Sequence, residues 1–151
     1  MKMIDLQGYK MPALGFGTWK LNGTEAVNAV DFALGEGYRH VDTAQIYENE
    51  AEVGDGIQKS GVARDQIFLT TKIWRNNFSN DTVMQSVDES LKKLKTDYVD
   101  LLLVHWPFPE TPIAKMIEGV MKAQEAGKTK RIGVSNFNVA QMEEALKISG
   151  G

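Results

Sequence analysis

The sequence predicts an α/β protein built on a parallel β-sheet. Short apolar segments alternate with longer segments of helical periodicity, and five such β–α pairs follow one another along the 151 residues. The segment DLLLVH, residues 100–105, is apolar on both faces, as a buried parallel strand should be. Periodicity alone fits two architectures, an open doubly wound sheet and an αβ barrel.

The composition is that of a globular protein, with 42% apolar and 25% charged residues. The net charge of −3 and the lack of a basic stripe exclude nucleic acid as an expected partner. The chain has no cysteine, which fits a reducing cytoplasm, and no metal site is predicted. Neither a signal peptide nor an apolar run near the ~18 residues of a membrane span is evident, so we expect a cytoplasmic protein without membrane contact.

The chain is expected to open with a β-hairpin. Residues 3–6 and 10–13 would form its two strands, with Gly8 at the turn between them. Residues 14–18 follow as the first apolar strand, which begins the alternation of strands and helices.

Two helices are expected in the rest of the first half. Thr24 is predicted to cap the first helix, which runs to Gly35 and has an apolar face formed by Val27, Val30 and Leu34. A second strand over residues 39–42 precedes the second helix, over residues 49–59.

Three further β–α pairs are expected in the second half. Their strands are predicted at residues 67–72, 98–105 and 131–135. Asp81 is predicted to cap the next helix, whose apolar residues lie at helical spacing: Val83, Val87, Leu91 and Leu94. A helix over residues 113–127 follows. The last helix ends at Gly150 and Gly151, and the apolar residues that mark it are Val139, Met142 and Leu146.

The glycines do not match the fingerprint of a dinucleotide-binding open sheet. That fingerprint, G-x-G-x-x-G, places three glycines between a strand and a helix. The nearest match, GFGTWK, has Gly15 and Gly17 but no third glycine and no helix directly behind. The pattern counts against a nucleotide site of that type.

Polar and ionisable residues stand where the predicted strands end. Going along the chain these residues are Asp42, Tyr47 in the following loop, Lys72, His105, Ser135 and Asn136. In a parallel barrel the strand ends share one face, and active sites are built there. We therefore expect these residues to converge although they are far apart in sequence.

Their chemistry suits the reduction of a carbonyl group, in which the developing alkoxide must receive a proton. A phenol such as that of Tyr47 donates more readily when a neighbouring ammonium, here Lys72, stabilises the phenolate. At about 4 Å and an effective dielectric constant near 20 this attraction is about 4 kcal/mol. Asp42 would hold the ammonium in place, and His105 would donate a hydrogen bond to the carbonyl oxygen.

Five segments in order along the chain resemble the successive signatures of the aldo-keto reductase family. They are GFGTWK, GYRHVDTAQIYENEAEVG, TTKIW, LLLVHWP and IGVSNF. The resemblance covers essentially all 151 residues and points to bacterial reductases of keto-sugars and methylglyoxal. It implies a parallel (β/α)8 barrel of the TIM type, of which this chain holds about five βα units and an N-terminal β-hairpin.

The resemblance also implies a role for each matching residue. Tyr47 would be the proton donor, supported by Asp42, Lys72 and His105. NADPH would be the cofactor, and the residues implied to bind it are Gly17, Thr18, Trp19, Lys20, Asp42, Ser135 and Asn136. A small carbonyl substrate would contact Trp19, Tyr47, Trp74, His105 and Trp106.

The family's barrel has eight βα units and about twice this length. We therefore expect residues 1–151 to be the N-terminal portion of a single barrel, with the C-terminal three units absent together with the site for the cofactor's 2′-phosphate. The first and fifth strands would then present open edges that can pair with another chain. The alternatives are a fragment of a longer reductase, which we favour, a partly determined protein, and a catalytically incompetent half-barrel that serves as a binding or structural module.

Overall fold

An antiparallel hairpin begins the chain, as the sequence predicts. The structure is a computed structural model that describes residues 2–6, 8–78 and 82–150. Strands β1 (Met3–Leu6) and β2 (Tyr9–Pro12) pair with Leu6 opposite Tyr9. The Tyr9 hydroxyl lies 3.0 Å from Asp100, and this contact ties the hairpin to the main sheet.

Five parallel strands form the main sheet and pair in the order in which they occur along the chain. They are β3 (Phe16–Gly17), β4 (His40–Asp42), β5 (Phe68–Ile73), β6 (Val99–Val104) and β7 (Thr129–Val134). A doubly wound sheet reverses its strand order at a switch point, whereas a barrel adds each strand beside the one before it. The strand order is thus that of a partial barrel. Of the two architectures that fit the periodicity, the αβ barrel is the observed one and the open doubly wound sheet is not.

A helix follows each of these strands, so the five predicted βα units are confirmed. The helices are α1 (Gly23–Gly35), α2 (Glu50–Lys59), α3 (Thr82–Leu94), α4 (Ile113–Glu125) and α5 (Val139–Ser149). Consecutive helices pack side by side, and the hydrophobic core lies between them and the sheet. None of the helices within the described ranges is long and apolar enough to cross a bilayer.

The predicted cap of α1 is wrong by two residues. The helix begins at Gly23 with Asn22 in the cap position, and the Ala26 N–H already donates to the Asn22 carbonyl. Thr24 therefore lies inside the first turn. The predicted cap of α3, Asp81, and the second terminal glycine, Gly151, lie outside the described residues.

Helix α5 is present where the sequence predicts it, and Gly150, with a φ of 83°, ends it. Its apolar face is nevertheless open, since Val139, Met142 and Leu146 are all exposed and Ala145 is the buried residue. The two edges of the five-stranded sheet are β3 and β7. Pairing of these edges with another chain stays a prediction.

The contact between α2 and α3 depends on the absence of a side chain at Gly54. A Cβ added there would lie 2.5 Å from the Lys93 carbonyl oxygen and 2.9 Å from the Leu94 Cα, both backbone atoms that cannot rotate away. We expect Gly54→Ala to lower the free energy of unfolding by about 1–3 kcal/mol, because the helices must separate. Urea unfolding of the full-length protein measures this change.

Gly35 at the end of α1 is the matched control for this substitution. A Cβ at Gly35 meets nothing within 4 Å. Gly35→Ala should therefore be neutral or raise the free energy of unfolding by about 0.5–1 kcal/mol. Equal unfolding midpoints for the two variants would contradict the close helix contact.

Candidate active site

Lys72 is the centre of the candidate site, at the end of β5. Parallel pairing sets Asp42 of β4 beside Thr70, and Lys72 lies two residues further along on the same face of β5. The Lys72 ammonium donates to Asp42 Oδ1 at 2.5 Å and to the Thr43 carbonyl oxygen at 2.9 Å. The lysine is buried, so these two oxygens replace water as the hydrogen-bond acceptors of its ammonium group.

Tyr47 lies in a short 3-10 turn over Gln45–Tyr47, just beyond β4. Its phenol oxygen is 3.4 Å from Lys72 Nζ, which also lies 5.0 Å from the centre of its ring. The next residue, Glu48, has a φ of 57° and ends the turn. The half-buried phenol is therefore held against the ammonium by the backbone of the turn.

His105 follows β6 directly. It is the last of the four residues predicted to form the catalytic group, with Asp42, Tyr47 and Lys72. Its ring packs edge-on against Tyr47, with 5.8 Å between ring centres, and the residue is 8% exposed. Its Nδ1 is buried and has no hydrogen-bond partner within the described ranges. Burial, with a smaller contribution from the Lys72 charge, holds the pKa of His105 below its ordinary value against the opposing effect of Asp42. The imidazole is therefore neutral at neutral pH.

Ser135 and Asn136 follow β7 and are held next to His105. The Asn136 amide nitrogen donates to the His105 carbonyl oxygen at 2.9 Å and to Ser135 Oγ at 3.0 Å. The Asn136 amide oxygen and the Ser135 hydroxyl hydrogen are not used in these bonds. The amide oxygen can accept from the NH2 group of a primary carboxamide, and the hydroxyl can donate to the oxygen of that carboxamide.

The segment after β3 reaches the site through its backbone. The Thr18 N–H and hydroxyl both donate to the Asp42 carbonyl oxygen, at 3.0 and 3.2 Å, so its buried hydroxyl is already engaged. A Cβ at Gly17 would meet nothing within 4 Å, so this residue borders open space. Trp19 is 67% exposed, and the Lys20 ammonium lies 4.7 Å from its ring centre.

Of the three tryptophans predicted to contact the substrate, the structure brings Trp74 against His105. The half-buried Trp74 packs edge-on against His105, with ring centres 5.4 Å apart, and Phe108 also packs edge-on against Trp74, at 5.7 Å. Trp106 and Trp19 lie at the surface. Trp74 and Phe108, which the sequence does not single out, together form an aromatic wall beside His105.

The sequence also leaves unnoticed two side-chain amides that hold the site together, the buried Asn49 and the half-buried Gln45. Asn49 donates to the carbonyl oxygens of Thr18 and Leu21 at 2.7 and 2.8 Å and accepts from the Thr43 hydroxyl. It thus joins the segment after β3 to the segment that contacts Lys72. Gln45 is the second such residue. Their place beside Tyr47 in the motif DTAQIYENEA is the signal that could have found them.

Comparison with known proteins gives the same family across most of the chain. The sequence profile of the aldo/keto reductase family matches residues 13–150. Methylglyoxal reductase DkgB of Yersinia pestis is 49% identical over 142 residues, which are 93% of this chain and 53% of that protein. Glyoxal reductase of Bacillus subtilis is 43% identical over 141 residues, which are 93% of this chain and 51% of that protein. The chain spans about half the length of the curated relatives it matches.

Solved structures agree with the sequence relatives. A protein provisionally named 2,5-diketo-D-gluconic acid reductase B matches with a TM-score of 0.91 and 55% identity, over 93% of this chain and 50% of that one. A Bombyx mori aldo-keto reductase in complex with NADP matches with a TM-score of 0.87 and 34% identity, over 97% and 54%. The resemblance carried by the five sequence segments is confirmed, and the chain belongs to the aldo/keto reductase family.

Proposed function

We propose that these residues serve an NADPH-dependent reductase that converts small aldehydes and ketones to alcohols, with Tyr47 as the proton donor. One observation carries the proposal. The buried Lys72 ammonium is within hydrogen-bonding distance of the Asp42 carboxylate and of the Tyr47 phenol at the same time. That arrangement supplies both a proton for an alkoxide and a positive charge for the phenolate left behind.

The proton passes from the Tyr47 hydroxyl to the oxygen of the substrate as that oxygen becomes an alkoxide. The Lys72 ammonium, 3.4 Å away, stabilises the phenolate that remains. The ammonium is itself held by Asp42 Oδ1 and the Thr43 carbonyl, so it does not need to move during the reaction. Such fixed charges lower the barrier because no reorganisation is required at the moment of transfer.

His105 orients the carbonyl group in this proposal. We assign the proton of the neutral imidazole to Nε2, because Nδ1 is buried without a partner among the described residues, and Nε2 then donates to the carbonyl oxygen. A neutral donor polarises the carbonyl without competing with Tyr47 as an acid. Trp74, packed on the imidazole, keeps the ring from turning.

The residues that would hold the nicotinamide carboxamide are Ser135 and Asn136, whose remaining donor and acceptor suit that group. Gly17, Trp19 and Lys20, at and after the end of β3, would border another part of the cofactor. When bound, NADPH supplies the hydride that reduces the carbonyl carbon. The choice of NADPH over NADH follows the family resemblance and the NADP complex of the Bombyx mori relative.

The substrates we propose are small dicarbonyls and keto-sugars. Relatives at 43–55% identity are named for methylglyoxal, glyoxal and 2,5-diketo-D-gluconic acid. The aromatic wall of Trp74 and Phe108 is compatible with compact carbonyl compounds, and Trp19 and Trp106 would complete it. We also propose that the chain corresponds to the first five βα units of a single eight-unit barrel in a cytoplasmic enzyme.

The test is the consumption of NADPH by the full-length protein in the presence of methylglyoxal, glyoxal or 2,5-diketo-D-gluconate. We expect carbonyl-dependent loss of NADPH absorbance and formation of the corresponding alcohol, with slower loss when NADH is supplied. A reaction without carbonyl compound is the blank. No loss above that blank with any of the three substrates would contradict the proposed function.

A further inference from the structure

Gln45 lies two residues before Tyr47 in the same 3-10 turn, and its amide oxygen is an anchor for the aromatic wall. Oε1 accepts the Trp74 backbone N–H at 2.8 Å and Asn77 Nδ2 at 2.9 Å. Trp74 and Asn77 bracket the turn after β5. Through this oxygen the turn that contains the proposed proton donor is bonded directly to the turn that contains the wall.

The amide nitrogen of Gln45 makes two further bonds, both to α3. Nε2 donates to the Ser86 carbonyl oxygen at 3.2 Å and to Ser90 Oγ at 3.1 Å. The orientation of the amide is unambiguous, because the Trp74 N–H can only donate and the Ser86 carbonyl can only accept. Gln45 therefore joins its own turn to the turn after β5 and to α3. Its amide oxygen and its amide nitrogen each make two hydrogen bonds.

A cavity next to Gln45 is also bordered by Trp74. Its volume is about 280 Å³, and Gln45, Ile46, Trp74 and Asn77 are among its lining residues. Trp74 also packs edge-on against His105. Trp74 therefore borders both the candidate site and this cavity, and the bond from its backbone N–H to Gln45 opposes its displacement into the cavity.

We propose that Gln45 is a positioning residue that fixes Trp74 at a set distance from Tyr47 and thereby favours small carbonyl substrates over bulky ones. The inference rests on the proposed function. Lys72 is held by Asp42 and Thr43 independently of Gln45, so loss of the anchor leaves the proton-donating group intact. The effect should therefore appear in KM and in substrate preference, with little change in kcat for a small substrate.

The experiment compares methylglyoxal with phenylglyoxal, in which a phenyl ring replaces the methyl group, in the full-length protein. Gln45→Met preserves the length of the side chain and removes all four hydrogen bonds. We expect the ratio of kcat/KM for phenylglyoxal to that for methylglyoxal to rise about tenfold, mainly through a higher KM for methylglyoxal, with its kcat within about twofold of wild type. A merely structural role would lower kcat for both substrates together.

Two companion variants separate the parts of the anchor. Gln45→Glu retains the oxygen that accepts from Trp74 and Asn77, so its ratio should stay within about threefold of wild type. Asn77→Ala removes one of the two donors to that oxygen and should shift the ratio in the same direction as Gln45→Met, by less. Should Gln45→Met fail to fold, Asn77→Ala decides the matter.

Gln124→Met is the matched control, since Gln124 also donates from Nε2 to a backbone carbonyl, that of Lys130, but away from the site. It should leave the ratio unchanged. No methylglyoxal turnover by the wild-type protein would overturn the proposed function and this inference with it. Turnover by the wild type, combined with an unchanged ratio in Gln45→Met or, if that variant does not fold, in Asn77→Ala, would overturn the inference alone.

Discussion

Replacing Tyr47 by phenylalanine should reduce carbonyl turnover by the full-length protein by about 10²–10⁴-fold, the usual contribution of a positioned general acid. The substitution removes one oxygen, which lies 3.4 Å from Lys72 Nζ, and keeps the ring that packs on His105. The loss should appear in kcat, because the hydroxyl acts when negative charge develops on the substrate oxygen. Steady-state kinetics with NADPH and methylglyoxal measures it.

Cofactor binding provides the internal control for this variant. The residues proposed to hold the carboxamide, Ser135 and Asn136, are anchored to the backbone around His105 and make no contact through the Tyr47 hydroxyl. The NADPH dissociation constant from fluorescence titration should therefore change little. Tyr38→Phe, which removes a hydroxyl before β4 at the opposite end of the strand from Asp42, should keep full turnover. If Tyr47→Phe retained turnover within tenfold of wild type, Tyr47 would not be the proton donor.

Replacing Asp100 by alanine should lower the free energy of unfolding by about 1–3 kcal/mol, the usual cost of leaving a buried donor, here the Leu69 N–H, without its acceptor. Asp100 is 4% exposed and sits near the start of β6. Its carboxylate accepts from four groups in different parts of the fold, namely the Tyr9 hydroxyl, the Arg64 guanidinium, the Leu69 N–H and the Lys130 ammonium, all at 2.9–3.0 Å. Alanine would leave these four donors without their shared acceptor.

The same network predicts how stability depends on pH. Burial by itself would raise the pKa of Asp100, but the Leu69 N–H, Lys130 and Arg64 outweigh it and hold the pKa below the ordinary value. The unfolded chain therefore binds a proton more readily than the folded one. The contribution of Asp100 is complete above the ordinary aspartate pKa of about 3.9 and is lost as the pH falls through the lower pKa of the folded state.

Urea midpoints measured from neutral pH down to pH 3 test both statements about Asp100. The wild-type midpoint should fall more steeply below about pH 4 than the midpoint of Asp100→Asn, which has no proton to bind at this position. Asp31→Asn is the control, because Asp31 forms a partly exposed ion pair with Lys59 that should contribute only about 0–1 kcal/mol. Equal neutral-pH midpoints for Asp100→Ala and wild type would contradict the network.

The strand ends could be predicted from the sequence because buried parallel strands have a clear local signature. An apolar run that stops at a polar residue locates His105 within a residue of the end of β6. The strand predicted over residues 39–42 ends, as observed, at Asp42. Lys72 lies one residue before the end of β5. The choice between an open sheet and a barrel could not be predicted from periodicity, because it depends on which strands are neighbours, and only the long-range pairing reveals that.

The supporting amides could not be predicted for a related reason. Asn49 reads locally as the start of a helix, and it does precede α2, but its side chain leaves the helix end to reach Thr18 and Leu21. Which carbonyl groups lie within its reach is set by the packing of segments about 30 residues apart. In the same way, the apolar spacing that predicts α5 says nothing about whether its face is covered.

The pairing of every main-sheet strand with the strand that precedes it has a consequence for how the chain folds. Each new βα unit finds its docking surface already synthesised, so the sheet can grow during translation without waiting for distant segments. The contact between Tyr9 and Asp100, which joins residues 91 positions apart, can form only after most of the sheet has been made. The hairpin, although it is made before the rest of the sheet, would then dock only once β6 has been added.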